Sequence, residues 1–122
     1  GSDVTVLASG QQVHFALKVA ETLKDEISIE VVDARSFEPF DLDTLLKSVE
    51  KTTRLVIVDE DFERAGFAAE VSAQVMEHGY DLLDAPVKRV CHPNIPIPGG
   101  YIDAYTMPTP ERIEAAVRDI CR

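Results

Sequence analysis

Four places in this chain bring together side chains that could do chemistry. Asp59, Glu60, Asp61 and Glu63 offer carboxylate oxygens, which suit a hard cation such as magnesium. Cys91 and His92 place a thiol beside an imidazole, the two parts of an activated cysteine nucleophile. Ser9-Gly10-Gln11-Gln12 follows an apolar run and could open a helix whose free N–H groups attract an anion. Asp33 and Arg35 could pair across a strand end.

Each group has a plainer reading. Neighbours along a strand point to opposite faces, so Cys91 and His92 cannot simply face one another. The segment at Ser9 has one glycine and matches neither G-x-G-x-x-G nor G-x-x-x-x-G-K-[ST], so Gly10 is expected to serve the turn itself. A receiver domain of bacterial signalling would place a phosphate-accepting Asp where Asp59 stands. It would also need acids after the first strand, and Ser9-Gly10-Gln11 stand there instead. The acidic run then reads as a solvated loop leading into a helix N-terminus, which welcomes negative charge. Asp33 with Arg35 reads as a packing pair. His14 and His78 fall within expected helices, His78 in a last turn that favours a cation. These residues assemble no nucleophile, base and oxyanion site together, and no catalytic, cofactor-binding or metal-binding residue is assigned.

The elements that would hold these groups follow from periodicity. Val4–Ala8 is a short apolar run ended by Ser9-Gly10 and reads as a buried strand. Val13, Ala16, Leu17, Ala20 and Leu23 recur at helical spacing and predict one buried stripe. Ile27, Ile29, Val31 and Val32 form a second strand ended by Asp33. Pro39 breaks the chain. Asp41 is then placed to cap a helix carrying Leu42, Leu45, Leu46 and Val49. Leu55–Val58 is a third strand, ended by Asp59. Phe67, Val71 and Val75 mark a third helix, with Gly79 suited to its C-terminal cap. Val87–Cys91 is a fourth strand, a Pro/Gly-rich segment follows, and Thr109-Pro110-Glu111 opens a last helix with Ile113, Ala116, Val117 and Ile120 inward. Alternation of this kind predicts an α/β domain with a mostly parallel sheet and helices on both faces.

Composition limits the partners. The chain has 122 residues, enough for one domain, with 22 Asp and Glu against 12 Lys and Arg. An acidic excess argues against nucleic acid, which needs a basic face, and suits a basic protein partner. No window has the length and apolarity of a membrane span, so a soluble domain is expected. Two cysteines at wide spacing make neither a disulfide framework nor a zinc pattern, which fits a reducing compartment. Gly1-Ser2 has the form of a pair left by tag cleavage. The domain is read as residues 3–122, a fragment of a longer subunit.

Five segments carry a family resemblance. Val31 to Asp41 resembles the V-x-D-L-R-x-L-x-P-x-D segment of the transketolase C-terminal domain family. Ser48 to Glu60 is similar to its S-V-x-K-T-x-R-x-V-x-V-x-E segment. Ala69-Glu70-Val71 matches the following helix. Asp84 to Val90 and Pro96-Ile97-Pro98 look like the D-A-P-V-x-R-V and P-x-P segments of one branch, the beta subunit of the 2-oxo acid (pyruvate-type) dehydrogenase first component. Arg64-Ala65-Gly66-Phe67 keeps one glycine where the family usually has a pair.

The resemblance implies a three-layer α/β/α domain with a five-stranded mixed sheet, one strand antiparallel, the fifth near Tyr101 to Met107 or inside the loops. It implies a parent enzyme that uses thiamine diphosphate and magnesium, held by other domains, and an isolated domain that is inactive. The implied partners are an alpha subunit and a second beta subunit in an α2β2 assembly, and the subunit-binding domain of a lipoyl acyltransferase. Asp84 and the carboxylate at Arg122 are the expected contacts for the last of these. A bacterial cytoplasm or a mitochondrial matrix is the implied location. A ketol transferase of the transketolase or deoxyxylulose-phosphate-synthase type, and a free-standing interaction module, remain as alternatives.

Overall fold

A computed structural model describes residues 1–36, 40–95 and 107–122. Its elements run β1 (Val4–Ala8), α1 (Gln11–Thr22), β2 (Ile29–Asp33), α2 (Leu42–Thr52), β3 (Leu55–Phe62), α3 (Phe67–Gly79), a 3₁₀ turn (Tyr80–Leu82), β4 (Lys88–His92) and α4 (Pro110–Ile120). Among the described residues the sheet has four strands in the order β2-β1-β3-β4, and every pairing is parallel. Pro39, the Pro96–Gly100 segment and residues 101–106, where a fifth strand was expected, lie outside the described residues. Met107 is described and is in a bend.

The alternation of side chains along each strand builds two cores. Val4, Val6, Val56, Val58 and Val90 point to one face, where Ala16 and Val19 of α1 and Ile113 and Val117 of α4 cover them. Leu7, Leu55, Ile57 and Cys91 point to the other, against Leu45 and Val49 of α2 and Val71 and Val75 of α3. This is why β1 is buried at all five positions: strands covered on both faces read as continuous apolar runs. The three-layer arrangement expected from the alternation of elements is the one observed.

Two helix starts follow the sequence closely. Asp41 Oδ1 accepts the Thr44 N–H at 3.1 Å and opens α2. Thr109 Oγ1 accepts the Arg112 N–H at 3.2 Å and opens α4, with Pro110 in its first turn.

Three details differ. The buried row of α1 is Gln12, Ala16, Val19 and Leu23, whereas Leu17 is 51% exposed and Ala20 is half-buried. Ala16 lets the helix close onto the sheet, and Leu17, about 100° further round, is turned away. Gly79 has φ −154, not the left-handed conformation of a C-terminal cap. Its place is explained by packing, because a Cβ there would lie 2.7 Å from Leu46 Cδ2 of α2. The left-handed cap occurs at Thr53 instead, φ 62, which ends α2 with its N–H on Val49 O. Finally, β3 continues beyond Asp59 to Phe62. Its pairing with β4 resumes at Phe62–His92 after an irregularity in register.

Candidate functional site

The reversal of direction between β1→β2 and the later crossovers falls between β1 and β3. In open α/β sheets the crevice at the carboxyl ends of such strands is the usual ligand site. Here that crevice is bounded by the start of α1 and the end of β3. Gly10, with φ 55 and ψ −133, makes the turn into α1, a backbone conformation that a side chain resists. The first N–H groups of the helix are partly satisfied at once, Gln12 N on Ser9 O at 3.1 Å and Val13 N on Gly10 O at 3.2 Å.

Gln12 has a buried side chain, 2% exposed. Its Nε2 donates to Glu60 Oε1 at 3.3 Å, and its Oε1 is buried with no hydrogen-bond partner. Both residues line a cavity of 390 Å³ with Phe15, Met107 and Thr109. Sequence reasoning missed Gln12. The signal was a polar residue on the apolar row 12, 16, 19, 23.

The acidic run is solvated except at Asp59, and its first part continues β3 to Phe62. Asp59 is 5% exposed and accepts two backbone N–H groups, from Asp61 at 3.1 Å and Ala68 at 2.9 Å. Its carboxylate is used as a helix cap, while Glu60, Asp61 and Glu63 are exposed. Among the described residues no three or more His, Cys, Asp or Glu side chains are grouped to hold a metal ion.

The remaining groups are separate. Cys91 packs in the α2–α3 core, and burial pushes its thiol up to about 11, which removes the thiolate at neutral pH. His92 is fully buried. Its ring meets Phe62 edge-on at 5.5 Å, and its Nδ1 lies 2.8 Å from Pro93 O. His14 is exposed on α1. His78 ends α3, 3.8 Å from Glu77. Asp33 and Arg35 do pair, at 3.3 Å, in solvent.

Asp84 and Arg122 are brought to one end of the domain, the amino end of β4. Asp84 is exposed, and its N–H bonds Thr53 O at 2.9 Å. Arg122 is 81% exposed and bonds Asp119 at 3.0 Å. The residues next to Asp84, Ala85 and Pro86, line a groove with Asp119 and Arg122. A Lys88 hydrogen bond holds the Asp119 carboxyl below its ordinary range.

A family model described as "Transketolase, C-terminal domain" matches residues 1–113. The chain belongs to this family. It is 42% identical over 98% of its length to "Acetoin:2,6-dichlorophenolindophenol oxidoreductase subunit beta" of Bacillus subtilis, covering 36% of that protein. It is 42% identical over 99% of its length to "Pyruvate dehydrogenase E1 component subunit beta-1, mitochondrial" of Arabidopsis thaliana, covering 34%. It is 41% identical over 98% to "2-oxoisovalerate dehydrogenase subunit beta" of Bacillus subtilis, covering 38%. Among solved structures, "Split gene transketolase, inactive beta4 tetramer" superposes with a TM-score of 0.84 at 28% identity, covering all of this chain and 40% of that one. The transketolase C-terminal domain thus spans just over a third of the curated relatives it matches. No helix among the described residues is long and apolar enough to cross a membrane.

Proposed function

We propose that this domain is the C-terminal assembly part of a beta subunit in a thiamine-diphosphate-dependent 2-oxo acid dehydrogenase, which decarboxylates pyruvate or a related 2-oxo acid oxidatively. The observation that carries this is the run of beta-subunit relatives at 41–42% identity across almost the whole chain. The ketol-transferase alternative draws on the split-gene transketolase at 28%.

Among the described residues no three or more His, Cys, Asp or Glu side chains are grouped to hold the cofactor's magnesium. A diphosphate with magnesium asks for carboxylates free to hold the metal and donors free to meet phosphate. Asp59 is committed to two backbone N–H groups, and the mouth of the α1 crevice carries the Glu60 carboxylate. On this reading the cofactor is held by the other domains of the parent subunits, and this domain packs against an alpha subunit and a second beta subunit.

The same reading gives the groove beside Asp84 and Arg122 to a small basic domain of a lipoyl acyltransferase. Supporting it are the exposed Asp84 and a formal net charge of −10, since complementary fields speed encounter and fix orientation; the carboxylate at Arg122 is the second contact of this reading. Calorimetry tests both parts. Binding of that basic domain, weakened by salt and by Asp84→Lys, is expected, with no heat from thiamine diphosphate and magnesium. Tight cofactor binding by this chain overturns the division of labour. Binding indifferent to Asp84→Lys and to salt overturns the docking site.

A further inference from the structure

We propose that the outward stripe of α3 is the face on which a second copy of this chain packs, the two helices running antiparallel about a twofold axis level with the Gln74–Val75 peptide. The proposal rests on the reading that a second beta subunit meets this domain, and it names the face and the register of that contact.

The fold commits one side of α3 and leaves another open. Ala68, Val71, Val75 and Gly79 are its buried residues, set against the core and Leu46 of α2. About 120° further round, Ala69, Ala73, Met76 and Tyr80 fall within about 60° of one another. Tyr80 keeps a helical φ of −61 and ψ of −31, so the stripe extends to it. Ala69 is half-buried and Ala73 exposed, while Met76 is 56% and Tyr80 67% exposed. Leu17, Met76, Tyr80 and Ile95 are the large apolar side chains exposed among the described residues, and only Met76 and Tyr80 stand one turn apart. Single apolar side chains on a surface need no explanation, but a contiguous row does, and Met and Tyr are enriched where proteins meet.

The order of sizes along the stripe selects the occupant. Its first half is small, Ala69 and Ala73, and its second half is large, Met76 and Tyr80. A twofold interface sets a surface against itself, and antiparallel packing sets the large half of one stripe over the small half of the other. One register does this for all four residues. With Met76 level with the second copy's Ala73, Tyr80 is level with its Ala69, because the two pairs share one midpoint. Large side chains then enter the gaps above small ones, as ridges enter grooves between helices. On one flank Gly79 meets Leu46 of α2, so the apolar surface continues there. The other flank carries the exposed Glu70 and Glu77, and the twofold brings both copies' acids to the same rim. Like charges at a solvated rim oppose the contact only weakly, and less in salt.

The test uses the 122-residue chain with Cys121→Ser, which leaves only the buried Cys91. Ala69→Cys and Tyr80→Cys are made singly in that background. In the proposed register, residue 69 of one copy meets residue 80 of the other. Two copies of the same position stand at least about 16 Å apart along the helix, beyond the roughly 7 Å limit of a disulfide. Mild oxidation of the mixed proteins is therefore expected to give the heterodimer, read by mass spectrometry, at about tenfold the yield of either homodimer. Sedimentation equilibrium of the unaltered chain is expected to show weak self-association, near about 1 mM, since one helix pair buries less than the roughly 800 Å² per partner of a standard interface. Raising salt from about 50 to about 500 mM is expected to strengthen it by screening the acidic rim, and Met76→Glu to abolish it. Met76 is exposed, so that variant is expected to fold, and its circular dichroism and melt report this directly. Homodimer yields equal to the heterodimer, association weakened by salt, or association that persists in Met76→Glu each overturns the proposal and leaves a second subunit to meet another face. A monomer at every concentration also overturns it, and the assembly reading is then judged by the calorimetry above, so the two failures are told apart.

Discussion

Asp59 Oδ2 accepts the backbone N–H of Ala68 at 2.9 Å, and this bond joins the end of β3 to the first turn of α3. The other carboxylate oxygen accepts the Asp61 N–H at 3.1 Å. One side chain therefore satisfies two backbone donors, and it does so at a site 5% exposed. Asp59→Ala leaves both donors without this partner and is expected to cost about 1–3 kcal/mol. Asp59→Asn is expected to cost nearly as much, because its NH₂ must face one of the two N–H groups. Urea melts of the three proteins check this. Equal midpoints would sink the capping role.

Gly66 and Ala65 set the same junction from the backbone side. A Cβ on Gly66 would lie 2.2 Å from Phe62 O, a backbone atom that cannot swing aside. Gly66→Ala is expected to destabilise by roughly 1–3 kcal/mol as an overpacked site. Ala65 holds φ 60, a conformation that costs a non-glycine residue about 1–2 kcal/mol. Ala65→Gly relieves it and loses part of the gain to the freer unfolded chain. A small net stabilisation is expected by thermal melting. A loss of stability would show that the Ala65 methyl has a packing role.

A buried hydroxyl cluster ties β1 to α2. Thr5 Oγ1 lies 2.7 Å from Ser48 Oγ and 2.7 Å from Thr52 Oγ1, and Thr52 also donates to Arg54 O at 3.1 Å. Thr5→Val keeps the shape and removes the shared partner, at an expected cost of roughly 1–2 kcal/mol. Removing all three hydroxyls in T5V/S48A/T52V is expected to cost less than the sum of the single changes. Additive losses in denaturant melts would contradict the network.

The pairing of Glu30 with Lys51 gives a pH-dependent term. The Lys51 hydrogen bond lowers the Glu30 carboxyl to about 2, with Ser48 and the Gly1 ammonium contributing. The folded value is the depressed one. Its contribution to stability is therefore present above the ordinary glutamate value of about 4.3 and is lost as pH falls through about 2. The pair faces solvent, so the effect is small. Glu30→Gln is expected to lower Tm slightly at pH 6, and the gap should close on acidification toward pH 2. A gap that persists at pH 2 would refute the assignment.

The amino-acid sequence by itself determined the alternation of strands and helices, the parallel sheet and the family. Apolar runs such as Val4–Ala8 and Leu55–Val58, the Asp41 and Thr109 caps, and the long matches at Val31 and Ser48 are local patterns, readable without knowing what lies across the domain. The tertiary structure decided what each polar residue near a strand end does. Asp59 looked solvated because its neighbours are acidic, and it is buried because α3 begins directly above it. Gly79 looked like a cap, and it is a contact with Leu46 of another helix. Gln12 looked like part of a helix start, and the fold buries it beside Glu60, 48 residues away in the chain. Burial and hydrogen-bond partnership arise from residues distant in sequence, so no window of periodicity contains them.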